Sequence, residues 1–183
     1  MIYALLDFDL VQKYNISIPQ FIDKCKELDV AIIQYRDKNS PIKEIKQRLL
    51  TIRKLWEKTL IINDYIELVE FVDGLHIGQE DLEKYNSIEN IRKKINSKIL
   101  GLSTHNKQEI LQANKMNIDY IGLGAYRLTK TKNVTSIGGK KLLELAKLSI
   151  HDVAIIGGVK IDDEIPTKYK VIGSDICKLI STQ

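Results

Sequence analysis

Short apolar runs alternate with amphipathic segments along the whole 183-residue chain, and this alternation limits the possible folds more than any other feature. Eight runs rich in aliphatic residues predict strands at 2–6, 30–33, 60–62, 74–77, 99–102, 120–123, 153–156 and 175–180. Between most of them, apolar residues recur every three to four positions, as at Ile42, Ile45 and Leu49, which predicts helices. Nearly all-apolar strands, each followed by such a helix, indicate a parallel sheet covered by helices.

Eight strand-helix units predict an α/β fold, a compact closed (β/α)8 barrel of the TIM type that occupies residues 1–183 as one domain. The length suits a single domain of about 150 to 250 residues. An open doubly wound sheet is the alternative, because the number of strands does not separate the two folds. In a barrel, functional side chains are expected on the loops that follow the strands.

Composition and charge narrow the class of function. The chain is 44% hydrophobic, but it has no apolar run of about 18 residues, so we expect a soluble protein with no membrane partner. Its N-terminus does not resemble a secretory signal, and Cys25 and Cys177 lie far apart, which favours reduced thiols in the cytoplasm over a disulfide framework. The net charge of +4 is spread along the chain, so we expect no nucleic-acid partner.

Polar clusters follow the predicted strands. Gln34, Arg36 and Lys38 come directly after the second strand, and two cations beside an amide suit a phosphate or pyrophosphate. Asp64 and Asp81 follow the third and fourth strands, and acids beside cations suggest a metal-bound polyphosphate. Further polar sets follow the fifth, sixth and seventh strands at 103–106, 129–132 and 157–158. If the barrel closes, all of these sets meet at one rim.

Six short segments occur on these strands in a fixed order: QYRDK, IINDY, GLHIGQED, GLSTH, TKTK and IIGGV. Each segment alone is weak, but the ordered set resembles the thiamine phosphate synthase family over nearly the whole chain. The resemblance implies a transferase that condenses hydroxymethylpyrimidine diphosphate with thiazole phosphate, giving thiamine phosphate and pyrophosphate. It also implies a Mg²⁺ cofactor.

The resemblance assigns a role to each matching residue. Asp64 and Asp81 would be the metal ligands, while Arg36, Lys38 and Lys132 would stabilise negative charge on the departing pyrophosphate. The remaining matches would bind the substrates: Gln34 the pyrimidine, Asn63 and Ser103 the diphosphate, and Thr129, Thr131, Gly158, Ile180 and Ser181 the thiazole phosphate.

The chain departs from the family pattern in several places. Compared with the family pattern, we expect it to lack the usual N-terminal extra helix and most of the eighth helix, and we expect the stretch 162–173 to be a poor seventh helix. We expect the uncovered barrel face to form a homodimer. Arg127 stands where the family has a proline-containing stretch, and it either contacts a phosphate or points to solvent.

Other functions and roles stay open. A related family, the thiazole tautomerases, uses a histidine at the position of His105 for acid-base chemistry. A non-catalytic paralogue that binds thiazole or thiamine phosphate is the third possibility. At the level of single residues, Arg36 and Lys38 could form only structural ion pairs, and Asp64 could cap a helix that begins near Tyr65.

Overall fold

The computed structural model describes residues 1–127 and 138–182, and the strands in these ranges form one closed parallel barrel in the order of the chain. The first and last strands pair with each other, with Ala4 opposite Ile172, so the barrel prediction is confirmed and the open-sheet alternative is wrong. The strands are β1 Ile2–Asp7, β2 Ile32–Arg36, β3 Thr59–Asn63, β4 Gly74–Ile77, β5 Ile99–Thr104, β6 Tyr120–Leu123, β7 Asp152–Ile155 and β8 Tyr169–Ile172.

Amphipathic helices cover the outside of the barrel. Ile45, Leu49 and Ile52 are fully buried on one face of the third helix, as their spacing predicts. The helices are α1 Phe8–Lys13, α2 Ile18–Glu27, α3 Ile42–Leu55, α4 Gln79–Tyr85, α5 Ile88–Ile95, α6 Lys107–Ala113, α7 Gly139–Ala146 and α8 Ser174–Ser181, with a 3₁₀ helix at Ile66–Phe71. None of the helices in the described ranges is long and apolar enough to cross a bilayer.

The inside of the barrel has its own apolar layer, which is separate from the core between sheet and helices. It includes the buried residues Tyr3, Ile61 and Tyr120. Gly101 on β5 makes room for it, because a Cβ there would lie 2.1 Å from Cζ of Tyr120. This layer forms the floor beneath the carboxyl-terminal rim.

The predicted eighth strand at 175–180 is wrong. Those residues belong to α8, and β8 is Tyr169–Ile172. Ile176 and Cys177 are buried at the spacing of a helix face, whereas Lys170 places a charge within the true strand and donates its Nζ to the carbonyl of Ile161. With this correction, the expectation that most of the eighth helix is missing is wrong as well.

The prediction of a poor seventh helix is confirmed. The residues between β7 and β8 contain no helix, so the chain crosses from one strand to the next as an irregular segment, 156–168. Cys25 on α2 and Cys177 on α8 are both free and buried.

Candidate functional site

The carboxyl rim of the barrel brings together the predicted cationic residues and acids of β2 and β3. Arg36, at the end of β2, forms an ion pair with the buried Asp7 at the end of β1. Lys38 lies just beyond, with its Nζ 3.7 Å from Oδ2 of Asp64. Ion pairs therefore hold both of these cations. Lys38 nevertheless keeps 43% of its side chain exposed, which leaves it accessible to an anion.

Asp37, which lies between these two cations in the sequence, has a structural role. Its Oδ2 accepts hydrogen bonds from the hydroxyl of Tyr35 and from Nη1 of Arg48, both at 2.9 Å. Its Oδ1 accepts the backbone N–H of Ser40 at 3.1 Å. Asp37 is 2% exposed, so its carboxylate fixes the loop after β2.

Asp64 and Asp81 form the acidic part of the rim. Asp64 follows β3 with a left-handed φ of 68°, and its N–H donates to the carbonyl of His76 at 2.9 Å. Asp81 lies in the first turn of α4, where its Oδ2 accepts the N–H of Gly78 at 3.0 Å. Burial and the carboxylate of Asp81 raise the pKa of Asp64 to about 6, against the opposing effect of Lys38.

Asp64 does not cap the 3₁₀ helix that follows it, since that helix has no side-chain cap. The described residues hold no group of three or more His, Cys, Asp or Glu side chains arranged for a metal ion. Two neighbouring carboxylates still fit Mg²⁺, which commonly uses one or two carboxylates together with substrate phosphate and water. The raised pKa of Asp64 fits too, because like charges that face each other attract a divalent cation.

A hydrogen-bonded network in the barrel interior holds Gln34 and Asn63. Gln34 donates through Nε2 to Oδ1 of Asn63 at 2.6 Å, and its Oε1 accepts the hydroxyl of Tyr3 at 2.7 Å. The Tyr3 and Tyr120 hydroxyl oxygens are 2.8 Å apart. Gln34 and Asn63 are nearly buried, so their amides keep one orientation.

The network continues to Ser103. The hydroxyl of Tyr120 lies 2.9 Å from Nδ1 of His76, and Nε2 of His76 lies 3.0 Å from Oγ of Ser103. His76 is buried and hydrogen-bonded, as its position within a predicted strand indicates. Tyr3 and Tyr120 were missed by the sequence reasoning, although a tyrosine in an otherwise apolar strand is a usable signal for a buried polar contact.

The opposite side of the rim offers backbone N–H groups. Gly157 and Gly158 follow β7 with φ of 92° and 68°. The N–H groups of Gly157, Gly158 and Val159 donate to no acceptor in the part of the chain that the structure describes. Close by, α8 begins at Ser174, and the first turn of a helix leaves N–H groups without partners. This is a suitable place for a phosphate.

The placement of Ile180 and Ser181 at a strand end is wrong. Both lie in the last turn of α8, at the end of the helix that points away from the rim, and Oγ of Ser181 donates to the carbonyl of Lys178 at 3.0 Å. The error follows from the misplaced eighth strand. Gly173 and Ser174 follow β8 directly and occupy the strand end instead.

A cavity of about 620 Å³ lies at the rim between the end of β2 and the turn after β7, and its lining includes Arg36, Lys38, Arg127, Gly158 and Ser174. The predicted residues Thr129, Thr131 and Lys132 lie outside the described residues. His105, the acid-base candidate, is 46% exposed, and its Nδ1 lies 3.0 Å from Oε2 of Glu109.

A closed barrel that collects cations, paired acids and free backbone N–H groups at its carboxyl rim is a TIM-barrel protein with a candidate site for phosphate. The thiamine phosphate pyrophosphorylase from Pyrococcus furiosus shares this fold, with a TM-score of 0.78 over 99% of this chain and 95% of that chain, at 20% identity.

The sequence pattern of the family "Thiamine monophosphate synthase" matches residues 7–166. The chain belongs to this family.

Two relatives illustrate the similarity. The thiamine-phosphate synthase of Persephonella marina is 33% identical over 165 residues, which cover 86% of this chain and 76% of the relative. The thiamine-phosphate synthase of Lawsonia intracellularis is 36% identical over 137 residues, which cover 72% of this chain and 60% of the relative. The chain therefore spans less than two thirds of the second relative's length.

Proposed function

We propose that the chain is a thiamine phosphate synthase, a transferase that joins hydroxymethylpyrimidine diphosphate to thiazole phosphate and releases pyrophosphate. The observation that carries the proposal is the arrangement of Lys38 beside Asp64, 3.7 Å apart, at the rim of a barrel whose chain belongs to this family. Cations fixed beside an acidic pair suit an organic diphosphate better than a monophosphate.

The reaction needs little covalent chemistry from the protein. The carbon-oxygen bond to the diphosphate breaks, the amino-substituted pyrimidine stabilises the carbocation that remains, and the thiazole nitrogen supplies the electron pair for the new bond. Negative charge grows on the pyrophosphate as it leaves, so fixed cations stabilise the transition state more than the ground state. Arg36, Lys38 and Lys132 are the cations in this proposal.

Asp64 and Asp81 would hold Mg²⁺. Bound there, the ion would neutralise charge on the diphosphate as the bond breaks. The carboxylate of Asp81 disfavours the charge on Asp64, and a cation bound beside them would relieve that repulsion.

The two substrates occupy different parts of the rim in this proposal. Gln34 faces the pyrimidine, and Asn63 and Ser103 bind the diphosphate, all three oriented by the internal hydrogen-bond network. The thiazole phosphate binds the backbone N–H groups near Gly158 and the start of α8, with Thr129 and Thr131 as predicted further contacts.

Calorimetry with the pyrimidine diphosphate separates this function from the two alternatives. A synthase binds the diphosphate in a Mg²⁺-dependent way and releases pyrophosphate once thiazole phosphate is added. A tautomerase ignores the diphosphate and loses its activity in a His105→Ala variant. A binding paralogue takes up ligand without turnover. Binding of the diphosphate that is indifferent to Mg²⁺ would contradict the proposed metal site.

We further infer a cytoplasmic homodimer. The irregular segment between β7 and β8 leaves a groove of about 720 Å³ on the barrel's outer face, lined by residues that include Leu143, Val153 and Pro166. A second copy of the chain would cover this partly apolar groove, and two free buried thiols suit a reducing compartment. Light scattering that finds only monomers at micromolar concentration would count against the dimer.

A further inference from the structure

The segment that leaves β6 docks against the glycine turn after β7. Three successive carbonyls of the turn accept hydrogen bonds from this segment: Ile156 from the N–H of Tyr126 at 2.9 Å, Gly157 from the N–H of Arg127 at 2.8 Å, and Gly158 from Nη1 of Arg127 at 3.0 Å. The approach is close, since a Cβ on Gly157 would lie 2.7 Å from Cβ of Ala125.

These three hydrogen bonds determine where the N–H groups of the turn point. In a planar trans peptide, the N–H of the next residue points opposite to the carbonyl. The carbonyls point toward the β6 segment, so the N–H groups of Gly157, Gly158 and Val159 point away from it. Gly158 and Val159 line the rim cavity, and their N–H groups have no acceptor within the described ranges.

The peptide between Gly158 and Val159 is the one of the three that depends on a side chain. Gly158 has a φ of 68°, and glycine adopts positive and negative φ about equally well. Without a partner for its carbonyl, this peptide is free to rotate and to turn the N–H of Val159 out of the cavity. Nη1 of Arg127 is the group that holds the carbonyl in place.

Asp163 fixes the guanidinium. Its Oδ1 accepts Nη2 of Arg127 at 2.7 Å, its Oδ2 accepts Nη1, and the same Oδ2 accepts the N–H of Lys160 at 2.7 Å. The hydrogen bond from Arg127 lowers the pKa of Asp163 to about 2, so the pair stays charged near neutral pH. A bidentate arginine pair has defined geometry that a lysine does not reproduce.

We infer that Arg127 is a positioning residue for the thiazole phosphate, which holds the Gly158–Val159 peptide with its N–H toward the cavity and uses Asp163 as its fixed counter-ion. The inference rests on the proposed function and deepens it. The guanidinium of Arg127 is held by Asp163 and the carbonyl of Gly158 although part of the side chain is exposed, so it can act without touching the phosphate.

The test compares Arg127→Lys and Asp163→Asn with the unaltered chain in steady-state turnover and in calorimetry with thiazole phosphate. Loss of a charged hydrogen bond that orients the N–H of Val159 is expected to raise the KM for thiazole phosphate about tenfold in Arg127→Lys. The KM for the pyrimidine diphosphate is expected to stay within about twofold, because its contacts lie across the cavity.

The Asp163→Asn variant distinguishes a positioning role of Arg127 from direct contact between Arg127 and the thiazole phosphate. Since Asp163 orients the guanidinium, its loss is expected to raise the KM for thiazole phosphate, as in Arg127→Lys. If Arg127 instead bound the phosphate directly, Asp163→Asn would release the guanidinium and leave that KM unchanged or lower it. Either that result or a parallel rise of both KM values in the Arg127 variant would overturn the inference.

Arg53→Lys is the matched control. Arg53 also binds a carboxylate, Asp73 at 2.8 Å, and the carbonyls of Trp56 and Lys58, but at the opposite end of the barrel. Its replacement is expected to change the stability of the fold but neither of the two KM values.

Binding without turnover in the unaltered chain would overturn the proposed function, whereas the same tenfold weakening of thiazole phosphate binding in Arg127→Lys would still support the inference.

Discussion

At the scale of single residues, Asp64 combines two unfavourable features. It adopts a left-handed φ of 68°, and its pKa is raised from 3.8 to about 6 by burial and by Asp81. A raised pKa in the folded state means that the carboxylate costs stability. This cost is absent below pH 3.8, grows as the pH rises and is complete above about pH 6. A residue that is costly for the fold and lies at the rim is well explained by function.

Asp64→Asn tests this account, and asparagine is the appropriate replacement because it tolerates the left-handed region better than alanine. Activity is expected to fall about 100-fold or more. The metal-free variant is expected to be more stable by about 2 kcal/mol at pH 7.5, because the costly charge is gone. Urea unfolding at pH 7.5 and at pH 4 measures this, and the difference is expected to shrink at the lower pH.

The effect of Mg²⁺ on the unfolding midpoint provides a second test with the same variant. The ion should raise the unfolding midpoint of the unaltered chain and leave that of Asp64→Asn nearly unchanged, since ligand binding stabilises only a fold that binds it. Asp23→Asn, an exposed acid on α2 that pairs with Lys26, serves as the control. Full activity in Asp64→Asn would remove this residue from the site.

At the scale of elements, the internal network ties the first six strands, β1 to β6, together beneath the rim. Tyr120 on β6 is its central member, because its hydroxyl contacts both Tyr3 and His76. Position 101 on the neighbouring strand has room only for glycine, because any Cβ there would clash with the ring of Tyr120. The strands that carry Gln34, Asn63 and Ser103 are thus coupled through the hydroxyls of Tyr3 and Tyr120.

Tyr120→Phe is expected to destabilise the fold by about 1 to 3 kcal/mol, because it leaves buried polar groups of Tyr3 and His76 short of a partner. Activity should also fall, since His76 would no longer orient Ser103. Chemical denaturation and turnover measure the two effects. Tyr85→Phe, which removes a hydroxyl outside the network, is the control. Equal stability of Tyr120→Phe and the unaltered chain would show that the network contributes little.

The packing of α8 against α2 buries both cysteines, so we expect their thiols to react slowly. Burial raises the pKa of Cys177 to about 12 and that of Cys25 still further, so neither is a thiolate at pH 8. A thiol reagent should react slowly with the native chain and with both cysteines once it is unfolded. Rapid reaction of Cys177 in the native chain would mean that α8 does not cover the barrel there.

At the scale of the whole molecule, the sequence predicts the barrel well because most of the parallel strands are apolar on both faces. The first seven strands follow this pattern. The eighth does not, since Lys170 interrupts it while Ile176 and Cys177 on α8 mimic a strand. Rim residues such as Gln34 and Asn63 are predictable because they end apolar runs.

Contacts between distant parts of the chain are not predictable in this way. Arg127 and Asp163 are separated by 36 positions, and Tyr3 and Tyr120 by 117. No local periodicity brings either pair together, because both contacts arise only when the barrel closes. Residues at strand ends can therefore be predicted from the sequence. The side chains that orient them cannot, because they are brought together only by the tertiary structure.

The most direct test of the central claim is a coupling assay with the purified chain, Mg²⁺, hydroxymethylpyrimidine diphosphate and thiazole phosphate, with the products quantified by chromatography. The account predicts thiamine phosphate and pyrophosphate in equal amounts, and a loss of both when Mg²⁺ is removed by a chelator. The absence of thiamine phosphate at any protein concentration, with both substrates and Mg²⁺ present, would contradict it.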